Sequence, residues 1–591
     1  MGKRKYGIFS NLIWSLTELC RFKKMYIGVF LVESIFNGVY PIISLILIQQ
    51  ITDILQYKRE GIKEIVIKLL IMILFQLFCE LILNMTQMLI ENMELEFEAY
   101  FQEKILKKVA VLDSKDFENT QTYNLINRTQ YDGNAGILGT IKILFSLGTV
   151  VIRTISYIVI IMKYNFLIFG IIVLLPIIRY FFEKKYNLED YKLNIKNTEE
   201  DRKLSYLSFL LTNSENFKEI KSYNLFEYFI NKYRKIKKKY NGDFISLHKK
   251  RTKTYSIIGI LEKIVEGCVM MLILFQTFIG TISIGNFILY NNSIDSLKEN
   301  IMTMFSQVSL IYKNSAMIKQ IRKFFSIVPE DTRLDGIEIE EIKKIELINV
   351  SYRYKDKQEY TLKDINLKFV KGDFIILLGC NGSGKSTLIK IIMGIYNDYE
   401  GDIYVNNMNL RSLNLEIYRK KVSVMFQSYI KYESSVMDNI KYGNFNISEL
   451  EINNMLSKVA LAELTDCIER PLGFQFTEGT QISIGQWQKL ALGRSLAKHA
   501  DMHIFDEPNA SLDIASENIV LNMLYDEMKD KITILIIHRF NCILERANKI
   551  IVLKDGMIRE MGIHNELINN HDIYYQLYMT QKEMTISNKE D

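Results

Sequence analysis

The strongest chemical signal in the sequence is a glycine-rich segment that ends in a lysine and two hydroxyl residues. It satisfies the pattern G-x-x-x-x-G-K-[ST], with one apolar run before it at 374–378 and another after it at 388–392. In such a loop the backbone N–H groups surround phosphates at the start of a helix, the lysine supplies a positive charge, and the first hydroxyl can ligate Mg²⁺. The segment therefore predicts a site for ATP and Mg²⁺ that includes Gly379, Asn381, Gly382, Ser383, Gly384, Lys385, Ser386 and Thr387.

Two later apolar runs end in side chains that suit phosphate hydrolysis. The run at 503–505 is followed by Asp506 and Glu507, and the run that ends at 537 is followed by His538. Asp506 is suited to binding the metal, and Glu507 to orienting or deprotonating the attacking water. His538 is placed to sense the terminal phosphate. Glu507 and His538 are therefore predicted to be catalytic.

The elements that position these residues form the second part of a chain of 591 residues, too long for one core. We expect a transmembrane region at 1–325, a linker at 326–342, an α/β domain at 343–580 and a polar tail at 581–591. Six apolar stretches are close to the ~20 residues that cross hydrocarbon. These predicted spans are 26–48, 65–88, 143–162, 165–182, 255–279 and 284–312.

Charge and cysteine content exclude some classes of protein and orient the spans. A net charge of +6 is small for this length and does not indicate a nucleic-acid partner. The six cysteines form no C-x-x-C pair, so the sequence indicates neither a zinc site nor a disulfide framework. The links after the second and fourth spans are long, and the latter is densely basic, whereas the other links are short. Basic links favour the cytoplasm, so we expect the ATPase domain and both termini to be cytoplasmic.

With these motifs in place, the second half of the chain resembles the ATPase domain of ABC transporters. Tyr354 resembles the aromatic residue that stacks on adenine, and Gln427 resembles the loop glutamine that contacts metal and water. Ile482-Ser483-Ile484-Gly485-Gln486 resembles the signature motif, and Ser511-Leu512-Asp513 resembles the loop that crosses the dimer interface. The resemblance implies metal ligands Ser386, Gln427 and Asp506, a catalytic contribution from Gln427, and nucleotide contacts from Ser483, Gly485, Gln486 and Asp513.

The whole chain resembles an exporter-type half-transporter. This resemblance implies an α-helical transmembrane bundle of six long helices, domain-swapped in a dimer, fused to an α/β P-loop ABC ATPase domain. In such dimers the signature motif of one subunit closes on the P-loop of the other. Here the first signature glycine is replaced by Ile484. That departure leaves two alternatives: a homodimer with two working sites, or one subunit of a heterodimer with one degenerate site.

A narrower resemblance concerns the cargo. The segments 210–221 and 228–230, Phe426-Gln427 with 431–433, and 485–489 are similar to those of class I lantibiotic exporters. The resemblance implies ATP-driven export of a modified precursor peptide across a bacterial plasma membrane by alternating access, with a dehydratase and a cyclase as pathway partners. The alternatives are a multidrug or lipid exporter and a non-hydrolysing ATP-gated channel or switch.

Charged residues inside the predicted spans are costly and usually point inward. They could contact a cationic cargo, or they could pair with one another or lie at the water interface. These residues are Glu33, Glu80, Arg153, Glu262, Lys263 and Glu266.

Overall fold

The computed structural model describes residues 6–57, 61–354, 358–474, 476, 478–510, 512–537 and 542–587. The chain forms two compact units. One unit comprises Met1–Leu112 and Asp116–Val328, and the other comprises Asp113–Lys115 and Pro329–Asp591.

Ten helices are described before residue 328, and six of them are at least 31 residues long. Polar side chains cap the N-termini of two of these long helices. Asn119 Oδ1 accepts a hydrogen bond from Gln121 N at 2.8 Å, and Ser283 Oγ accepts one from Asn286 N at 3.0 Å, so these residues begin long helices. The helices are α1 (Ile8–Lys23), α2 (Met25–Tyr57), α3 (Ile62–Ala110), α4 (Ser114–Glu118), α5 (Thr120–Tyr164), α6 (Phe166–Lys196), α7 (Thr198–Thr212), α8 (Ser214–Ser222), α9 (Phe226–Phe278) and α10 (Ile284–Phe325).

The six predicted spans fall, to within one residue at their ends, in six long helices, α2, α3, α5, α6, α9 and α10. By length and composition, four helical segments among the described residues are apolar enough to cross a membrane: Met25–Tyr57, Ile62–Ala110, Gly133–Tyr164 and Phe166–Asp190. The stretches predicted at 255–279 and 284–312 are not among these four. Each carries several charged side chains within its apolar sequence.

Four of the six charged residues in these two stretches, Glu262, Lys263, Glu266 and Lys298, form salt bridges. Glu262 of α9 is only 1% exposed, and one of its carboxylate oxygens lies 3.2 Å from Arg179 of α6 and 3.4 Å from Lys298 of α10. Glu266 pairs with Lys263 at 2.7 Å and also with Lys298. Because a buried ion is tolerated when it is paired, this network lets α9 and α10 carry charge within the bundle. Of the two alternatives for Glu262 and Glu266, the structure shows pairing.

The proline in α2 explains the position of Arg153. Pro41 has no N–H, so the carbonyl of Asn37, four residues earlier, lacks its usual donor within the helix. Arg153 of α5 supplies that donor, since its Nε and one terminal nitrogen lie 2.8 and 2.6 Å from the Asn37 carbonyl oxygen. A freed carbonyl inside a membrane helix is thereby satisfied by a neighbouring helix.

The second unit contains two sheets. A six-stranded sheet has the order β10-β9-β3-β8-β7-β6 and is parallel except for β10, and a four-stranded antiparallel sheet has the order β2-β1-β4-β5. The strands are β1 (Lys344–Tyr352), β2 (Leu362–Val370), β3 (Phe374–Leu378), β4 (Glu400–Val405), β5 (Met408–Asn409), β6 (Val422–Met425), β7 (Met502–Asp506), β8 (Ile532–Ile536), β9 (Lys549–Lys554) and β10 (Met557–Gly562).

Helices cover the parallel sheet. They are α11 (Lys385–Ile392), α12 (Leu415–Lys420), α13 (Val436–Lys441), α14 (Glu449–Lys458), α15 (Ile484–Ala497), α16 (Ile514–Glu527), α17 (His564–Asn569) and α18 (Ile573–Ser587). All five residues of β3 are buried; Ile375 and Leu377 enter one apolar cluster, and Phe374, Ile376 and Leu378 enter another. This alternation is that of a strand buried on both faces, so β3 is held rigidly in the centre of the unit.

Candidate nucleotide-binding site

The predicted chemical residues follow the carboxyl ends of adjacent parallel strands. Strands β3, β8, β7 and β6 lie side by side in that order. The glycine-rich loop follows β3, Asp506 is the last residue of β7, and Gln427 comes two residues after β6. Ligands of open α/β sheets bind at this edge, because loops from several parallel strands converge there. His538, the remaining predicted catalytic residue, lies outside the described residues.

Two glycines of the loop have conformations or surroundings that exclude side chains. Gly379 has φ +153°, and a Cβ atom there would lie 2.3 Å from the carbonyl oxygen of Leu553. Gly384, the residue before α11, has φ +104°, and a Cβ atom would lie 2.7 Å from Leu362. The backbone therefore turns closely around the first turn of α11, where helical N–H groups are unpaired and attract anions.

Lys385 lies folded back into this loop. Its Nζ donates to the carbonyl oxygens of Gly379 at 2.6 Å and Cys380 at 3.2 Å. Burial lowers the pKa of Lys385 below its ordinary value, while the carboxylates of Glu507 and Asp506 act in the opposite direction. The hydroxyl of Ser383 is buried and has no hydrogen-bond partner among the described residues. The loop thus offers a cation, the N-terminus of α11 and an unused hydroxyl, which together fit a polyphosphate.

The two carboxylates are held in different ways. Asp506 is 5% exposed at the end of β7. Glu507 has φ +53°, a left-handed conformation that costs a residue of this type free energy. Its backbone N–H donates to the Ile536 carbonyl at 3.1 Å, and its carbonyl accepts from Gln488 Nε2 at 3.0 Å. Gln427 Nε2 donates to Glu507 Oε2 at 3.0 Å, so an amide orients the carboxylate.

These residues enclose a cavity of about 570 Å³. The hydroxyl of Tyr354, at one side of the cavity, lies 3.1 Å from that of Thr387, and its ring meets the Tyr396 ring edge-on. Of the predicted residues, those that line the cavity are Tyr354, Asn381, Gly382, Ser383, Gly384, Lys385, Ser386, Thr387, Gln427, Asp506 and Glu507.

Five other predicted residues that the structure describes do not line this cavity: Gly379, directly after β3, and four residues of the signature and interface segments. Ser483 caps α15, where its hydroxyl accepts from Gln486 N at 3.2 Å, and Gln486 Oε1 accepts from Ser483 N at 2.8 Å. Gly485 lies within the first turn of that helix. Asp513 caps α16 by accepting from Ser516 N at 3.2 Å, which lowers the pKa of its carboxyl. Within one chain, therefore, the P-loop group and the signature group are separate.

Sequence reasoning missed two residues at this site. Thr361 lines the cavity, and Gln488 holds the carbonyl of Glu507. Thr361 precedes a strand and has no motif to mark it. Gln488 lies only two residues after Gln486, at the start of a helix with apolar periodicity, so its polarity among buried neighbours was the available signal.

Asp506 and Ser386 line the cavity and carry oxygen atoms of the kind that Mg²⁺ binds. No group of three or more His, Cys, Asp or Glu side chains that could hold a metal occurs in the part of the chain that the structure describes. At a nucleotide, Mg²⁺ is usually bound by one or two carboxylates together with substrate phosphates and water.

A P-loop ATPase unit of this geometry, continuous with a bundle of long apolar helices, defines an ATP-hydrolysing multi-pass membrane transporter. The comparisons with known proteins agree. A sequence model of the ABC transporter family matches residues 362–510. The subtilin transport ATP-binding protein SpaT of Bacillus subtilis is 30% identical over 560 residues, which cover 93% of this chain and 91% of that protein.

The nisin transport ATP-binding protein NisT of Lactococcus lactis subsp. lactis is 28% identical, with 81% of each chain covered. A solved structure of a bacterial Atm1-family ABC exporter with ATP bound superposes with a TM-score of 0.76 at 18% identity, over 95% of this chain and 98% of that one. The chain belongs to the ABC transporter family and has the fold of an exporter. The predicted fold class, ATP binding and ATPase activity are confirmed.

Proposed function

We propose that this protein exports a peptide, a modified lantibiotic-type precursor, across the bacterial plasma membrane. The observation that carries the proposal is the similarity to SpaT, which extends over 93% of the chain and so includes the membrane helices as well as the ATPase unit. A dehydratase and a cyclase that modify the cargo are the proposed pathway partners. The ATPase unit and both termini are proposed to face the cytoplasm.

The proposed assembly is a homodimer with two composite ATP sites. The P-loop residues line one cavity, whereas Ser483, Gly485, Gln486 and Asp513 lie elsewhere on the same unit. Two copies facing each other would bring the signature group of one to the P-loop of the other. The N-terminus of α15, capped by Ser483, then provides backbone donors for the terminal phosphate.

Each residue has a proposed role in the hydrolysis of ATP. Tyr354 stacks on the base, the loop 379–387 and Lys385 hold the phosphates, and Ser386, Gln427 and Asp506 hold Mg²⁺. The ion, when bound, neutralises phosphate charge in the reaction. Glu507 accepts a proton from the attacking water, and the hydrogen bond from Gln427 aims its carboxylate. His538 is proposed to contact the terminal phosphate.

The first test is ATP turnover by the purified chain in lipid nanodiscs, with and without leader-bearing precursor peptides. We expect a basal rate that rises with a peptide and falls at least about 100-fold in Glu507→Gln, because proton acceptance is lost while the side-chain shape is kept. The matched control is Glu517→Gln, a buried glutamate outside the cavity lining that bonds Asn509. It should retain turnover if it folds.

Two outcomes would redirect the proposal. If ATP turnover rises with drugs or lipids but not with peptides, the cargo is a drug or a lipid and not a peptide. If the folded protein has no ATP turnover and only a second half-transporter restores activity, the assembly is a heterodimer. The signature motif with Ile484 would then need a different partner subunit.

A further inference from the structure

A second cavity, of about 810 Å³, lies within the helical unit, between α2, α3, α5 and α10. Each helix contributes side chains that are three or four residues apart, so one face of each helix turns toward it. On α5, for example, Lys142, Ser146, Thr149 and Arg153 line it. A volume in the range of small-molecule sites leaves room for a short segment of a ligand but not for a folded peptide.

The charges around this cavity do not balance. Four carboxylates line it, from Glu33, Glu91, Glu94 and Glu299, against the two cations of Lys142 and Arg153. Lys142 is already paired with Glu94, and Arg153 is engaged by the Asn37 carbonyl.

Three of the four carboxylates form no salt bridge of their own. Within the described residues, Glu33, Glu91 and Glu299 make no salt bridge within 4.0 Å, and Glu91 accepts a hydrogen bond from Gln87 Nε2 at 3.0 Å. Carboxylates that line a cavity and have no salt-bridge partner attract a cation that enters it.

An uncharged side chain points to the same kind of ligand independently. Asn300 follows Glu299 on α10, lines the cavity and is only 8% exposed, yet its side chain makes no hydrogen bond to any described residue. An amide that lines a cavity and has no partner in the protein is available to a ligand, and its two donors and one acceptor suit a peptide backbone. The cavity thus combines attraction for positive charge with hydrogen bonds for amides.

We propose that this cavity binds a cationic segment of the cargo, a lysine- or arginine-bearing stretch of peptide. Glu33 and Glu299 face the positive side chain, and Asn300 hydrogen-bonds the backbone beside it. The inference rests on the proposed function in taking the cargo to be a peptide, and it adds the charge that the cargo must present and the residues that select it.

The test is direct binding of three matched fluorescent hexapeptides to the full chain in nanodiscs of zwitterionic lipid, without nucleotide. The peptides carry two lysines, two glutamines or two glutamates at the same positions, and empty nanodiscs provide the background. Fluorescence anisotropy should show that the lysine peptide binds most tightly. Glu33→Gln and Glu299→Gln should each weaken it about fivefold and leave the glutamine peptide unchanged.

Two further variants sharpen the result. Glu80→Gln removes a carboxylate from an exposed position of α3 outside the cavity lining, so it should leave all three affinities unchanged. Asn300→Ala should weaken the lysine and glutamine peptides equally, because it removes hydrogen bonds rather than charge. Basal ATP turnover of each variant shows that it is folded.

The failure of this inference and that of the proposed function are distinguishable. Suppose that precursor peptides stimulate ATP turnover, but the three hexapeptides bind with equal affinity and the Glu33 and Glu299 variants bind them like the parent protein. The cavity assignment is then wrong and peptide export stands. If lysine peptides bind with the predicted charge preference, but no precursor stimulates turnover, the cavity assignment stands and peptide export is wrong.

Discussion

The contact between Arg153 and the Asn37 carbonyl leads to a quantitative prediction. Arg153→Met keeps most of the side-chain volume and removes both donors from a carbonyl that Pro41 has already deprived of its helical partner. Leaving a buried acceptor unsatisfied costs ~1–3 kcal/mol, and side-chain hydrogen bonds between membrane helices reach about 1.7 kcal/mol. We therefore expect Arg153→Met to lower the free energy of unfolding by about 1.5 kcal/mol.

The prediction becomes specific when Pro41 is also replaced. Pro41→Ala restores an N–H that can donate to the Asn37 carbonyl within the helix, so the carbonyl no longer needs Arg153. In the Pro41→Ala background, Arg153→Met should therefore cost about 1 kcal/mol less than in the parent chain. This difference is the coupling energy of a double-mutant cycle.

The assay is thermal unfolding of the four proteins in the same detergent, followed by helical circular dichroism. Lys142→Met is the matched control. It removes a cation from the same cavity, but its partner is Glu94 on α3, so its effect should add to that of Pro41→Ala without coupling. Equal costs of Arg153→Met in the two backgrounds would refute the role assigned to Arg153.

Two further predictions concern the ATPase unit. Ile484→Gly should change the maximal ATPase rate of the homodimer by no more than about twofold relative to the parent protein. The reason is that the Ile484 side chain is 62% exposed and takes no part in the Ser483–Gln486 capping pair. A tenfold rise would show that Ile484 obstructs the closed site. Burial lowers the pKa of His503 from 6.5 to about 4, so between these pH values the unfolded state binds more protons than the folded state. The free energy of unfolding therefore decreases as the pH is lowered through that window, by up to about 1.4 kcal/mol per pH unit. Thermal unfolding of the full chain at pH 7.5 and 5.5 should show this loss, and His503→Leu should reduce it; an unchanged pH response in that variant would contradict the assignment.

Much of the nucleotide site could be predicted from sequence because its parts are contiguous or directly follow strands. The loop 379–387 has a fixed spacing, and Asp506 and Glu507 end an apolar run of the length of a strand. The parallel order of the strands then brings these segments to one edge, as the prediction required. The separation of Ser483 from the P-loop within one chain is likewise what the family resemblance implied.

The membrane cavity was harder to predict because its walls come from four helices. The polar residues Glu91, Glu94 and Lys142 occur on long helices whose inward faces become known only when the helices are packed. Arg153 was recognised as a costly charge, but its partner is a backbone carbonyl 116 residues away, and sequence does not mark such a partner. Glu262 and Glu266 are four residues apart and so lie on one helix face, but their partner Lys298 lies on another helix.

The left-handed backbone of Glu507 bears on how this sequence can drift. Glycine, asparagine and aspartate adopt φ near +53° at lower cost than glutamate, and the hydrogen bonds to Ile536 and Gln488 hold the turn whatever residue stands there. Selection for stability alone therefore works against the glutamate, and only selection for turnover retains it. A duplicated gene copy released from hydrolysis would gain stability by losing Glu507 first, which makes this position an early marker of divergence between paired subunits.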